Sequence, residues 1–327
     1  MGHLPFERID RTPLVRQEAK TSEKYGQAPA KRPIKQLLDY GIINLDKPAG
    51  PSSHQVSAYV QQILKIKKSG HSGTLDPGVT GILPTALGAG TRVVQSLLSA
   101  GKEYVCLMRL HQPHSEADVK AALEKFTGKI KQLPPVKSAV KRQWRYRNIY
   151  YNEFLDMDGE DVLFRVGCQA GTYIRKLCHD LGQYLGGGAH MAELRRTKAG
   201  PFQEDQTLIT LHDLKDAFAF YKEDNDESYL RKCIQPLEAA VAHLPKVIIT
   251  DTTVDSMCHG ATLKVKGIQS VESNIQVGEL VAVMTLKGEL VCVGEAMMIS
   301  KDMIKRPTGV AVKSSQVFMA PKTYPKV

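Results

Sequence analysis

The sequence predicts an α+β fold followed by a smaller all-β unit, on three observations. Strand-like and helix-like segments mix without a βαβ rhythm, which argues against a doubly wound parallel sheet. The 327 residues exceed what one hydrophobic core usually serves. Past about residue 245 the texture changes to short apolar runs, KVIIT, ATLKV, ELVAVMTL and ELVCVGEAMMI. Gly260, Gly267, Gly278 and Gly288 separate them, the spacing of a small β-barrel. The expected division is an extended arm over residues 1–36, an α+β domain over 37–244 and the barrel over 245–327.

The arm is polar and interrupted by Pro5, Pro13, Pro29 and Pro33, which suits an extended segment rather than a core element. Regular structure starts at GIINLDKPAGPSSH, where Ile42, Ile43 and Leu45 form a short buried strand. Pro48, Gly50 and Pro51 end it, and Ser52 or Ser53 caps a helix. That helix repeats Val56, Tyr59, Val60, Ile63 and Leu64 at helical spacing, one apolar face. Lys65, Lys67 and Lys68 follow its end. KEYVCLMRL (102–110) reads as a strand, and Ser115 with Asp118 suggests a capping box for a helix to about Phe126. NIYYNEFLDM and DVLFRVGC pair across an Asp158-Gly159 turn. GTYIRKLCHDLGQYL becomes a helix with Ile174, Leu177, Cys178, Leu181 and Leu185 on one face. YKEDNDESYLRK (221–232) is charged and expected to be a surface loop, and PLEAAVAHL a short helix.

Hydrophobic residues make up 42% of the chain and aromatic ones 6%, values of a soluble globular protein. No apolar run reaches membrane-spanning length, and MGHLPFERIDRTPL lacks the apolar region of a signal peptide. The net charge of +10 favours polyanion partners. Six scattered cysteines without a C-x-x-C pair read as reduced, mostly buried thiols. No zinc-ligand spacing is present, and Cys258-His259 alone is not a site.

Three stretches carry chemistry. GHSGTLDPGVTG (70–81) places Asp76 among four glycines, with Pro77 stiffening the position after it and His71 beside it. Such an acid either organises its own turn or works as nucleophile or general base. No second acid stands in a comparable loop, so ordinary two-carboxylate glycosidase chemistry is not indicated. In GTYIRKL, Tyr173 and Arg175 sit at a strand-to-helix corner, where an arginine pairs with a carboxylate and orients it. PPVKSAVKRQWRYR interleaves Lys137, Lys141, Arg142, Arg145 and Arg147 with Trp144 and Tyr146, cations for phosphates and rings for base stacking. ELRRTKAGPF adds Arg195, Arg196 and Lys198 to the cations available for RNA.

Together, GIINLDKPAGPSSH, GHSGTLDPGVTG, GKEYVCLMRLH, PPVKSAVKR, GTYIRKL and GAHMAELRRTKAGPF, in that order, resemble the TruB-type pseudouridine synthases. The likeness is greatest to the dyskerin-like branch, and the C-terminal region resembles an RNA-binding PUA domain, apart from Lys266 where many relatives place a proline. The resemblance implies a catalytic domain on a mixed, largely antiparallel sheet, and isomerisation of specific uridines to pseudouridine without a cofactor. It implies Asp76 as the essential acid, Tyr104 as the ring on the base and Arg175 as the partner of the acid. It places His71, Tyr173, Leu194 and Lys47 at the substrate pocket, Lys47 with Pro48 bracing the catalytic loop. A buried ion pair between Arg175 and Asp76 is expected, with Lys141, Arg142, Trp144 and Arg145 on the RNA surface. No metal ligand is expected.

The arm and the PUA region, without long lysine-rich tails, resemble the archaeal-type, cytoplasmic catalytic subunit of an H/ACA particle that modifies ribosomal RNA. The implied partners are a guide RNA gripped by arm and PUA domain, the substrate RNA, a small zinc-ribbon-like subunit, a Gar-type barrel subunit and a kink-turn-binding subunit. No membrane is implied. A stand-alone transfer-RNA synthase and a non-catalytic RNA-binding scaffold are the competing readings.

Overall fold

The computed structural model describes residues 2–134 and 141–326; Lys137 lies outside them. The arm does not stand apart from the core. Leu4 is fully buried over Gly101. β1 (Pro13–Val15) pairs antiparallel with a strand of the C-terminal sheet. Arg11 and Arg16 of the arm bond Glu279 and the carbonyls of Met303 and Ile304. The expectation of an arm without core residues is thus corrected at Leu4, because arm and body fold against each other.

α1 (Ile34–Tyr40) leads into β2 (Gly41–Lys47), buried on both faces as its apolar run requires. α2 (Ser53–Leu64) opens at Ser52, which forms a capping box with Gln55. Its Val56, Val60 and Leu64 are buried, but Tyr59 lies exposed on the rim of the predicted face. β3 (Ser69–His71) and β4 (Thr80–Leu87) are the arms of a hairpin, with the glycine-rich segment as its loop. α3 (Val94–Leu98), β5 (Lys102–Leu110) and α4 (Glu116–Lys125) follow, α4 capped by Ser115. β6 (Gly128–Gln132), β7 (Arg145–Asp158) and β8 (Asp161–Cys168) form a meander. α5 (Ile174–Leu185) buries the predicted face and ends at Gly186 in the left-handed region.

β9 (Ala189–Ala199), the short β10 (Phe202–Gln203) and β11 (Leu208–Ile209), α6 (Leu211–Glu223), α7 (Ser228–Cys233) and β12 (Gln235–Pro236) complete the first body. Residues 221–232, expected as a loop, are the end of α6, a short link and most of α7. Leu230 is fully buried there, so tertiary packing overrides the charged composition. The eleven strands make one sheet, β11-β2-β4-β9-β5-β8-β7-β6, with β3, β10 and β12 attached to its members. Within this sheet only β11–β2 and β4–β9 are parallel among the described pairs, so it is mixed and largely antiparallel. α2 and α6 cover one part of it around Leu45, Val60 and Leu214, and α4 and α5 another around Cys106, Phe164 and Leu177.

The second body holds β13 (Lys246–Ile249), α8 (Asp251–Cys258), β14 (Leu263–Lys264), β15 (Ile268–Glu272), β16 (Leu280–Thr285), β17 (Leu290–Ala296), α9 (Ser300–Lys305) and β18 (Val310–Val317). With β1 its strands form one seven-stranded sheet around Val247, Val283, Val291 and Met303. The four expected runs are strands, while β15, β18, α8 and α9 are additions that the run spacing did not indicate. Leu97, Leu237 and Leu244 of the first body pack with Met284, Leu290 and Val293 of the second. Each such buried side chain contributes about 1.5–3 kcal/mol, which joins the two sheets through a shared core. All six cysteines are free and buried.

Candidate active site

Asp76 is held from both sides through its neighbours' backbone. Before it, the Ser53 hydroxyl accepts from the Leu75 amide at 2.8 Å and donates to the Leu75 carbonyl at 3.0 Å. After it, Lys47 Nζ donates to the carbonyls of Pro77 at 3.0 Å and Val79 at 2.8 Å, and Gly50 N donates to Pro77 O at 2.9 Å. The Val79 amide closes the turn onto Asp76 O at 3.0 Å. The carboxylate therefore stands on a braced loop with nothing of its own required for the loop's shape. Ser52 caps α2, which frees Ser53 for this grip. Lys47 is fully buried and reaches only backbone; burial, with Arg196 nearby, lowers its pKa. It braces the loop, and its expected place among substrate-binding residues is corrected accordingly.

The loop glycines serve the protein more than a ligand. Gly81 has φ +99, and a Cβ there would lie 2.2 Å from Arg196 O on the parallel neighbour β9. Gly73 has φ +84, where only glycine sits without strain. Gly78 faces open space, so a Cβ there would meet no neighbour.

Arg175, the second residue of α5, pairs its guanidinium with Asp76 across a sequence separation of 99 residues. The pair was expected to be buried, yet each side chain is 57% exposed. In water such a pair is worth about 0–1 kcal/mol. A ligand laid over the loop would displace that water and strengthen the pair. At the same corner, Tyr173 is tied by its amide to Gln132 Oε1 at 3.1 Å and by its carbonyl to Gln132 Nε2 at 3.2 Å. A buried glutamine on β6 thus fixes where α5 begins and where Arg175 points.

Tyr104 lies on β5, opposite Arg196 of β9 in the strand register and next to a bulge. Burial raises the pKa of its hydroxyl, so the ring carries a neutral phenol. Arg196 stands close to that hydroxyl and is itself buried, 1% exposed. Its Nε donates to Ile82 O at 2.7 Å and its Nη2 to Gly73 O at 3.2 Å. One guanidinium thus links the start of the catalytic loop and the strand after it, beside the tyrosine. Lys102 lies close by with Nζ on the carbonyls of Leu97, Leu98 and Ala100, and burial pushes its pKa down to about 8. Cys106 sits opposite Leu194, and Tyr104 and Leu194 both pack, partly buried, against the same core cluster.

Arg196 was read from sequence as a surface cation for RNA; the structure corrects this. Arg195 and Lys198 are corrected too, being bound to Asp46 and Glu204 and to Glu7. The available signal was the strand itself, since adjacent residues on a strand face opposite sides and one of two successive arginines must turn inward.

His71 packs edge-on against His54 with ring centroids 5.0 Å apart. Burial, the neighbouring His54 and Arg196 push its pKa down to about 4. Its Nδ1 and the adjacent Ser72 Oγ are buried without a partner, polar atoms left over at the mouth of the loop. The residues expected on the RNA surface lie just before β7 and at its start. Trp144 is 58% exposed, with Lys131 Nζ 4.8 Å from its ring centre, and Lys129 stands 4.6 Å over Tyr146. Arg142 and Arg145 bond the carbonyls of Pro134 and Lys141, leaving exposed rings among cations as single-stranded RNA requires.

Arg175→Ala should lower turnover by at least about a hundredfold while changing RNA affinity by less than about threefold, because one exposed arginine orients the acid but is a single phosphate-class contact. Rates and binding curves on the same RNA check this; equal losses in both would place Arg175 on the phosphate-binding surface instead.

Comparison with known proteins agrees with this geometry. The TruB family pseudouridylate synthase N-terminal domain matches residues 61–174 and the tRNA pseudouridylate synthase B C-terminal domain residues 175–242. A DKCLD domain matches residues 3–57 and a PUA domain residues 245–318. "Probable tRNA pseudouridine synthase B" of Pyrococcus abyssi is 55% identical over 320 residues, 98% of this chain and 96% of that protein. The protein of the same name from Methanothermobacter thermautotrophicus is 55% identical over 310 residues, 95% of each. A chain in the crystal structure of a Cbf5-Nop10-Gar1 complex matches with a TM-score of 0.95 at 54% identity, covering 99% of both chains. One in the structure of an H/ACA RNP bound to a substrate RNA containing 2'-deoxyuridine matches with a TM-score of 0.93 at 51% identity, again over 99% of both. With a lone acid on a braced loop, a ring beside it and kinship over nearly its whole length, this chain belongs to the TruB family of pseudouridine synthases.

Proposed function

We propose that this chain is the catalytic subunit of an H/ACA guide particle that isomerises chosen uridines to pseudouridine. The observation that carries the reading is Asp76, a single open carboxylate on a rigid loop, paired with Arg175 and set beside the neutral ring of Tyr104. Such a site takes one base out of its stack, at a cost of a few kcal/mol. The uridine N1–C1′ bond breaks, the uracil turns and C5 joins C1′. C5 releases its proton and N1 ends with one, so no electron is gained or lost. Tyr104 packs on the base, Arg175 aligns the acid, and Tyr173, Leu194 and His71 line the approach.

Support for the guide particle comes from the two structural relatives, one in complex with Nop10 and Gar1, the other in a particle with substrate RNA. The partners of this reading are guide RNA, substrate RNA, a small zinc-ribbon-like subunit, a Gar-type subunit and a kink-turn-binding subunit. The archaeal setting it follows is cytoplasmic. A second reading, unaided modification of transfer RNA, is favoured by the name of the Pyrococcus abyssi relative, probable tRNA pseudouridine synthase B. Turnover of a guide-matched RNA, with and without guide and partner proteins, separates the two. The particle reading expects turnover of that target only when guide is added; equal rates and unchanged target choice would overturn it.

A further inference from the structure

Most cations near the site are engaged by the protein itself, as Arg195, Arg196, Lys102 and Lys198 are. Four lysines at the far end of the β3–β4 hairpin are not. Lys35 on α1 and Lys65, Lys67 and Lys68 in the turn between α2 and β3 line a groove of about 480 Å³. All four are exposed, and among the described residues none forms an ion pair or a side-chain hydrogen bond. The single acid in the lining, Asp39, accepts from the Ala89 amide at 2.9 Å.

The frame under these lysines is fixed. Lys65 caps α2 in the left-handed region, φ 54, with its amide on Gln61 O. The Lys68 carbonyl accepts from Gly88 N at 2.8 Å. A helix C-terminus attracts one or two cations on its own account, but that does not explain Lys35, which comes from another helix. Lysine is a compact point charge suited to a phosphate. His71 is three residues beyond Lys68, a separation of at most about 10 Å along an extended strand, so the groove lies at the end of the same hairpin that carries the catalytic loop.

We infer that this groove is a phosphate-binding site for the backbone of the RNA whose uridine enters the pocket. The inference rests on the RNA-modifying reading and adds to it a contact surface remote from the chemistry. RNA is preferred to an acidic protein because the reaction already brings a polyanion to this face.

The test is a Lys65→Ala, Lys67→Ala, Lys68→Ala triple variant of the full chain. The probe is fluorescein-labelled guide RNA annealed to its matched target, titrated by anisotropy from about 0.1 to about 0.4 M KCl. Each neutralised phosphate contributes about 0.7–0.9 to the slope of log K against log salt, so the slope should fall by about two to three. The first-turnover rate at saturating RNA should stay within about twofold, because no pocket residue is altered. The triple Lys→Arg variant should keep the parental slope. An unchanged slope in the alanine variant overturns the inference and leaves room for an acidic protein in the groove. Lost turnover with unchanged affinity overturns it as well. Failure of the parent chain to modify the RNA would instead strike the functional reading, which keeps the two failures apart.

Discussion

Asp76→Asn should abolish pseudouridine formation while leaving RNA affinity within about twofold, and the loss of rate should be at least about a thousandfold. The substitution is isosteric. The loop around it is shaped by Ser53, Lys47 and Gly50 acting on backbone groups, and by the backbone turn from Val79 to Asp76, none of which uses the carboxylate. The side chain is exposed in the free chain, so folding stability should move by no more than about 0.5 kcal/mol. What the variant loses is the charge paired with Arg175, and with it the group that acts on the nucleotide. Single-turnover rates and equilibrium binding on one RNA measure the two effects separately. Turnover within tenfold of the parent would show that the Asp76 carboxylate is not the reacting group, and the assignment of the chemistry to it would fall.

Arg196→Met should be the most damaging substitution outside the reacting groups. It leaves Ile82 O and Gly73 O buried without their donors, each costing about 1–3 kcal/mol, so unfolding stability should drop by about 2–5 kcal/mol. It also removes the cation beside the Tyr104 hydroxyl and the tie between the two ends of the catalytic loop. Arg196 acts through these groups rather than on the nucleotide. Arg196→Lys separates positioning from mere folding. It keeps a cation but not the planar fork that reaches two carbonyls at once, so it should recover much of the stability while turnover at saturating RNA stays reduced by at least about tenfold. Full recovery of turnover along with stability would reduce Arg196 to a packing residue.

The sequence made a large part of this site legible, and particular residues show why. The apolar runs of GIINLDK and KEYVCLMRL are buried strands because their composition admits little else. The Asp158-Gly159 turn joins the two strands it was expected to join. Motif resemblance brought Asp76, Tyr104, Arg175, Tyr173 and Leu194 together although they come from a loop, two strands and a helix corner. What stayed hidden depends on partners distant in sequence. The side on which Arg196 falls is set by strand register, not by the LRRT wording. The arm's strand exists only because β15 offers an edge to pair with. Residues 221–232 read as loop by charge alone, yet Leu230 anchors a helix through one buried contact face. The exposure of the Asp76–Arg175 pair depends on a loop and a helix corner 99 residues apart meeting at the surface, which no local pattern records.

The most direct measurement follows the hydrogen on C5. Joining C5 to C1′ must release it, whereas simple binding or cleavage of the base does not. RNA carrying tritium at C5 of the target uridine should lose it to water in step with turnover by the parent chain, and retain it with Asp76→Asn under identical binding. Tritium retained by the parent with a matched guide and partners present, or released equally by the asparagine variant, would contradict the assignment of Asp76 as the centre of a uridine-isomerising site.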